Sequence, residues 1–462
     1  WITQGGGNYV LVQPRDGKLA VKCDFGKDIA KSVQRSYVNA GHQRLYVNPA
    51  NQKLYVTENE MWVGGGNFHN ILEINPDNGK VKQIPIPVEW AEDMTFDADG
   101  LVYLRQSWGT QRVLRYDPVS WREVPWDYGE EGRDAKGKIE SGLPLPSAAS
   151  GCYSQGGLYV SPKGHLAVAC ATPGPLLTEE QKARKNPVLD TSGAKPYQPM
   201  VYPGRNFVGL NGGCIHVWDK HGKVLIEDAV PGMSGIDGLG IDRDDNVYVM
   251  SHTPRVLDGK KYLNSITGTM IKVRPGRNKW LVRAGSPVPL PENQQPKRSP
   301  DISGYTMGDT WIEGADWLYG GVGNCSFKIA TGCICWQQSR MTLDYFARSF
   351  APETDQFSVA ALDSNGNLIL RIGQYGNADD GVPLVKTEDG KGKTEDGPML
   401  VSPAAHSIGG DEVALMQPSH VATMTDRHLY IGDVGNARVV QVKLGYHAEE
   451  KVELKNVPDG KK

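Results

Sequence analysis

The 462-residue sequence has no apolar run approaching the roughly 20 residues that a membrane-spanning helix needs. It has no long basic block, and its formal charge is only −3. Both argue against nucleic acid or an anionic membrane as the main partner. There is no Cys-x-x-Cys-His, hence no signal for c-type haem. There is no phosphate-binding Walker loop and no GxGxxG opening a helix, hence no nucleotide site. A Gly-x-Ser-x-Gly elbow for Ser/His/Asp catalysis is also missing. The chain starts at Trp1 with no basic-then-apolar leader, as expected if a leader has been removed or if this is part of a longer chain. Seven cysteines are too few for a miniprotein built on disulfides. Their odd number leaves at least one thiol free, intermolecular or metal-bound. Together these features favour an extracytoplasmic location.

Glycine, by contrast, is abundant at 55 residues, with 30 prolines and 11 tryptophans. That composition suits many short strands joined by tight turns. A unit recurs along the chain: an apolar strand, an Asp/Asn/Gly turn, a second strand, then another hairpin. It occupies about 42–87, 92–127, 157–230, 237–283, 304–376 and 418–454. Six units of about four strands predict an all-β fold, a β-propeller of four-stranded blades in a single domain over 1–462. Two stacked β-sandwiches are the rival. The hairpin at 9–25 reads as an extra half-blade, which leaves a seven-bladed ring as the alternative to six.

The runs GIDGLGIDRDDNVYV, FSVAALDSNGNLILRIGQYG and PSHVATMTDRHLYIGDVGNARVVQV resemble NHL repeats. The resemblance implies a six-bladed propeller similar in fold to the gluconolactonase (SMP-30-like) and peptidyl-amidoglycolate lyase groups. It is specific for fold and weak for activity, because propellers host unrelated functions.

Insertions interrupt the units at about 173–205, 325–353 and 377–413, with a shorter one at Pro254–Leu263. Within the second, Leu343, Phe346, Ala347 and Phe350 fall on one face of a short helix with Ser339 as N-cap and Pro352 as stop. On that helix Arg340, Asp344 and Arg348 would share a polar face as an ion-pair ladder, with anion binding as the rarer use.

Candidate chemistry starts at the axis. Counted five residues back from the first turn of units two, four and six stand Glu92, Asp237 and His420. Such a mixed set suits a divalent metal, Ca, Zn or Cu, and His420 tilts the choice toward a transition metal. Asp237-Gly238-Leu239 is similar to the Asp-Gly-Met/Leu motif whose Asp binds a divalent metal in gluconolactonase-like propellers. Unit one offers Gln43 with His42 beside it, and unit five Ser358 or Glu313. Polar strand starts that only bind channel water are the commoner case.

Cys325, Cys333 and Cys335 form the densest thiol cluster. Cys333 and Cys335 are too close in sequence to bond each other. A disulfide from Cys325 to one of them is favoured over a thiolate metal site. Cys152 and Cys170 are expected to face one another across a hairpin. His252, where a strand leaves its blade, is a candidate binding residue.

Two function classes follow. The first is a metal-dependent hydrolase, lyase or oxidoreductase acting on a small molecule in the central channel. The second is a non-catalytic assembly module that uses its loop face and the 326–353 insertion to dock another subunit, or a missing segment of a longer chain. The first is preferred because the axial polar set is chemically mixed.

Overall fold

The computed structural model describes residues 9–12, 21–24, 43–59, 68–76, 80–85, 91–106, 112–126, 142–145, 157–171, 213–226, 229–230, 236–265, 267–275, 277–282, 292–304, 308–323, 339–376, 382–383, 400–401, 413–424, 428–433 and 438–444. Its antiparallel sheets make a six-bladed propeller. Blade 1 runs Gln43–Val47, Leu54–Asn59, Phe68–Ile74 and Val81–Ile84, from axis to rim. Blade 2 is Ala91–Phe96, Val102–Gln106, Arg112–Tyr116 and Leu143–Pro144. Blade 3 is Leu158–Val160, Leu166–Ala171, Gly213–Trp218 and Val224–Ile226. Blade 4 is Ile236–Ile241, Val247–Ser251, Gly268–Val273 and Ala315–Val322. Blade 5 is Thr342–Leu343, Ser349–Glu353, Ser358–Leu362 and Leu368–Ile372. Blade 6 has Pro418–Met424, His428–Asp433 and Arg438–Lys443 among the described residues.

The blades form because their inner and middle strands are largely apolar on both alternating faces, and each face has a neighbouring blade to bury it. In blade 2, Leu104 packs toward blade 1 with Tyr55 and Ile71. Its neighbour Tyr103 packs toward blade 3 with Leu158 and Trp218. Corresponding clusters join blades 3 and 4 through Ala169 and Ile241, 4 and 5 through Met250 and Ala360, and 5 and 6 through Phe350 and Leu429. The ring closes where Ala422 and Tyr430 of blade 6 meet Leu45 and Val56 of blade 1.

The first turns of blades 1 to 5 use one device. Asn48, Asp97, Ser161, Asp242 and Asp344 each open a hairpin, and the side-chain oxygen accepts backbone N–H groups two and three or four residues on. Asp363 repeats it in the outer hairpin of blade 5, where Gly366 takes φ +82°. That hairpin is the Asn-Gly turn expected from sequence.

Two sequence expectations need correction. The helix over 339–352 is instead the inner hairpin of blade 5, with Leu343 opposite Ser349 and Thr342 opposite Phe350. Its helical spacing arises from a strand, a five-residue Asp344–Arg348 turn and a second strand. Phe346, assigned to the buried face, sits at the turn 54% exposed. The ladder shrinks to one pair, Arg348 Nε to Asp344 Oδ2 at 2.5 Å, while Arg340 lies at the axis. Residues 339–353 therefore belong to the propeller body, not to a docking insertion. The fifth unit also starts later than expected, because 315–322 is the outer strand of blade 4. Glu313 belongs to a small sheet of Lys279–Val282, Ile302–Gly304 and Gly308–Glu313 inserted in that blade. Ser358 opens the third strand of blade 5, so neither residue is an inner-strand start. Cys152, expected to face Cys170, lies outside the described residues, and the strand register sets Cys170 opposite Cys214. The half-blade Tyr9–Val12 and Val21–Asp24 is a two-stranded sheet of its own.

His216 sits on the third strand of blade 3 beside Trp218, with ring centroids 5.7 Å apart. Burial pushes its pKa down to about 4 from an ordinary 6.5. Above pH 6.5 the imidazole is neutral in the folded and unfolded chain alike. As pH falls from there, the unfolded chain takes the proton first, so stability is lost and the loss approaches about 3 kcal/mol near pH 4. Urea denaturation across this range is expected to show the slope in the native protein and a flatter one in His216→Gln.

Candidate functional site

The inner strands carry the site. The strands of blades 2, 4 and 6 are bulged at Glu92, Asp237 and Ser419, the residues skipped between Ala91 and Asp93, Ile236 and Gly238, and Pro418 and His420. The bulge aligns the blades better than the turn does. Met424 pairs with His428 in blade 6, so its connection differs from the turns of blades 2 and 4 and counting back from it slips by one. Glu92 and Asp237 are equivalent, as expected. His420 is equivalent to Asp93 and Gly238 instead.

One ring of positions around the axis therefore holds Arg44, Asp93, Gly157, Gly238, Arg340 and His420, from blades 1 to 6. Asp93 is its hub and is buried. Asp93 Oδ1 accepts from the Tyr46 hydroxyl at 2.7 Å and from Met94 N at 2.9 Å. The Arg44 guanidinium lies 3.7 Å from Oδ1, and that of Arg340 lies 4.0 Å from Oδ2. Arg340 also donates from Nη1 to the Asp237 carbonyl. The two glycines admit close neighbours, since a Cβ on Gly157 would meet Ala169 at 2.4 Å and one on Gly238 would meet Met341 at 2.8 Å, and the fully buried Arg105 reaches the Gly157 carbonyl at 3.5 Å. Burial first, and the Arg44 charge second, lower the Arg340 pKa to about 10. Burial and Asp93 hold the Tyr46 phenol well above its usual range.

Beside the ring, His252 Nδ1 is 3.3 Å from Asp237 Oδ1, both side chains buried. His420 Nδ1 is 2.8 Å from Ser419 Oγ. Arg340 N donates to the Ser419 carbonyl and Val421 N to the Arg340 carbonyl, so blades 5 and 6 are stitched in parallel at the axis.

From this ring to the hairpin turns, a cavity of about 270 Å³ runs down the axis, lined by all six inner strands. Asp93 and Arg340 form its inner end, and Asp97, Arg243 and Tyr345 its mouth. The walls between are mostly apolar, with Leu158, Leu239 and Met341 among them, and carry the hydroxyls of Tyr46, Thr95, Tyr159, Thr342 and Thr423. Tyr159 of blade 3 crosses in front of blade 4 to donate to the Leu343 carbonyl of blade 5 at 2.9 Å. Gly240 lets the Leu343 side chain pack against blade 4, since a Cβ there would meet Leu343 Cδ1 at 2.7 Å. Thr423 of blade 6 donates to the same carbonyl at 3.2 Å.

Of the residues singled out from sequence, Asp237, His252, Arg340 and His420 gather around the axis. Asp344 and Arg348 lie at the mouth instead, where Asp344 shapes its turn and burial raises its pKa. Glu92 lies on the inner strand of blade 2, its side chain outside the described residues, as are Cys325, Cys333 and Cys335 altogether. Among the described residues no three His, Cys, Asp or Glu side chains converge as metal ligands. Sequence reasoning missed Arg44, Tyr46, Asp93 and Tyr159. Counting from the bulge, where polar residues sit one step inside an apolar strand, would have exposed Arg44, Asp93 and Arg340 as one layer.

Asp93→Ala is expected to cost about 3–5 kcal/mol, because it strips the buried carboxylate from beside two guanidiniums. Asp93→Asn keeps the shape and should cost less. Chemical denaturation of both variants tests the order.

No protein-family model and no curated protein matches the chain. Solved structures resemble it at low identity and low structural scores. Hydrazine synthase of Kuenenia stuttgartiensis is 12% identical, with 88% of this chain and 97% of that one covered at a TM-score of 0.40. A calcium-binding regucalcin of Agrobacterium tumefaciens is 10% identical over 88% and 91% at 0.39. Virginiamycin B lyase of Staphylococcus aureus is 12% identical over 88% and 96% at 0.35. At these scores the likeness assigns no activity. The chain itself is a six-bladed β-propeller, as the sequence resemblance implied.

Proposed function

We propose that this protein binds a small molecule in its axial cavity. The observation that carries the reading is the cavity itself, walled by inner strands of all six blades and ending on a buried cluster of charge. Concave, largely apolar sites with a few convergent polar groups are the usual form of small-molecule sites. Thr95 faces the axis on the same side of its strand as Asp93, while Met94 and Phe96 pack toward blade 1. Native mass spectrometry with a fragment library is expected to show one-to-one adducts on the native protein that Thr95→Phe loses. Adducts retained unchanged in that variant would place the ligand elsewhere.

The narrower reading is a metal-dependent hydrolase, lyase or oxidoreductase in an extracytoplasmic compartment, with Glu92, Asp237 and His420 sharing the ion. The described donors give it limited support. Asp237 is engaged with His252, His420 with Ser419, and His420 stands one position away from the other two. Metal analysis of the purified protein decides it. Near-stoichiometric zinc, copper or calcium that disappears in Asp237→Asn supports the enzyme. Less than a tenth of an equivalent after purification without chelator removes it and leaves the binding module.

A further inference from the structure

We infer that the axial cavity takes an uncharged, mostly hydrocarbon ligand, held by a hydrogen bond between a hydroxyl of the ligand and Thr95. The inference rests on the small-molecule reading above and adds the chemical class of the ligand and its anchor.

Every charged group on the cavity wall is already engaged by the protein. Asp93 accepts from the Tyr46 hydroxyl and Met94 N. Asp97 accepts from two backbone N–H groups and the Tyr103 hydroxyl. Asp242 accepts from Asp244 N, Asn246 N and the Tyr248 hydroxyl. Asp344 accepts from Phe346 N, Arg348 N and Arg348 Nε. Arg340 donates from Nη1 to the Asp237 and Ser339 carbonyls, turns Nη2 to Asp93, and has Nε sealed from the cavity. At the mouth, Arg243 donates to the Tyr345 carbonyl and stacks on the Tyr345 ring, 4.7 Å from its centre. An ion drawn into the shaft would lose its water and gain no open partner of opposite charge.

The two ends also oppose opposite signs. Among the described residues, the inner end sets Arg44 and Arg340 against Asp93, an excess of positive charge that repels a cation. The mouth sets Asp97, Asp242 and Asp344 against Arg243 and Arg348, an excess of negative charge that repels an anion. An uncharged molecule meets neither obstacle.

The wall hydroxyls narrow the class further. Tyr159, Thr342 and Thr423 donate to the Leu343 carbonyl, and Tyr46 donates to Asp93. Ser161 Oγ accepts Lys163 N and His165 N in its turn. Thr95 differs from all of these. Its hydroxyl has no hydrogen-bond partner among the described residues and is not sealed inside the protein, so it opens on the cavity. It stands midway between Asp93 and Asp97 on one face of a strand that advances roughly 13 Å between them. Covering that hydroxyl with pure hydrocarbon would leave it unsatisfied, whereas a ligand hydroxyl pairs with it.

The body follows from the shaft, which Leu158, Leu239, Ile241, Met341 and Val421 line. A cavity of about 150 Å³ holds benzene, so the 270 Å³ here suits about eleven non-hydrogen atoms.

Four probes share the naphthalene body. 2-Naphthol is uncharged with a hydroxyl, and 2-methylnaphthalene is uncharged without one. 2-Naphthoate is an anion at neutral pH, and 2-naphthylmethylamine a cation. Equilibrium dialysis of the native full chain at neutral pH is expected to show 2-naphthol bound at least about tenfold more tightly than either ion. It is expected to bind about fivefold more tightly than 2-methylnaphthalene. Thr95→Val keeps the side-chain shape and removes the hydroxyl. That variant is expected to erase the difference between 2-naphthol and 2-methylnaphthalene while holding 2-methylnaphthalene within about twofold of its native affinity. An ion bound as tightly as 2-naphthol overturns the uncharged class and leaves the cavity reading standing. Equal binding of 2-naphthol and 2-methylnaphthalene by the native chain, or an undiminished preference for 2-naphthol in Thr95→Val, overturns the Thr95 anchor. If no probe binds while Thr95→Phe still loses the fragment adducts, the inferred class falls and the cavity reading stands. If no probe binds and the adducts survive Thr95→Phe, the cavity reading falls as well.

Discussion

Everything in this molecule depends on the burial of both faces of each blade. A four-stranded sheet that is apolar on two sides cannot exist alone in water. Two such sheets stacked would still expose two faces. Closure into a ring removes the exposed faces entirely, and the meeting of Leu45 and Val56 with Ala422 and Tyr430 completes it. At about 25 cal/mol per Å² of apolar surface removed from water, each inter-blade cluster outweighs any single polar contact at the axis. The ring is therefore stable enough to carry an internal cluster of charge that stabilises nothing by itself.

That cluster is a geometric by-product turned to use. Twisted sheets packed radially leave their first strands too far apart at the centre to fill the gap with methyl groups. Here one level of the gap holds two arginines, one aspartate, one histidine and two glycines, and the next is spanned by Tyr159. The remainder is the cavity. Positions near the axis are where a side chain from one blade reaches the backbone of another, as Tyr159 reaches Leu343 and Arg340 reaches Asp237. Substitutions there are felt by several blades at once.

The fold was largely legible from the sequence because its signals are local. Asn365-Gly366 declares a hairpin, and GIDGLGID declares an inner strand and its turn. Where local signals conflict, reading failed. Leu343, Phe346, Ala347 and Phe350 satisfy a helical period, yet Asp344 and Arg348 enclose the same side-chain-to-backbone turn as Asp97 and Asp242. Comparing repeats with one another would have outvoted the period. The site was partly legible. Asp237 and His420 were found with Glu92 as aligned strand starts, His252 at a strand exit, and Arg340 on a supposed helix. Their grouping was not, since Asp93 is joined to Tyr46 across 47 positions and Arg340 to Asp237 across 103. A one-residue slip also changes which face a side chain occupies, and in blade 6 the different connection between the first two strands separated His420 from its supposed equivalents.

The turn device has a consequence for the rim. Asn48, Asp97, Ser161, Asp242 and Asp344 do one backbone task with three different side chains, two neutral and one charged. The architecture needs an oxygen at that place and is indifferent to its charge. The electric field across the entrance can thus be rewritten blade by blade, from acidic to neutral, without disturbing a strand. A propeller of this kind can change the charge at its entrance while keeping the scaffold, and the inner end of the shaft, as they are.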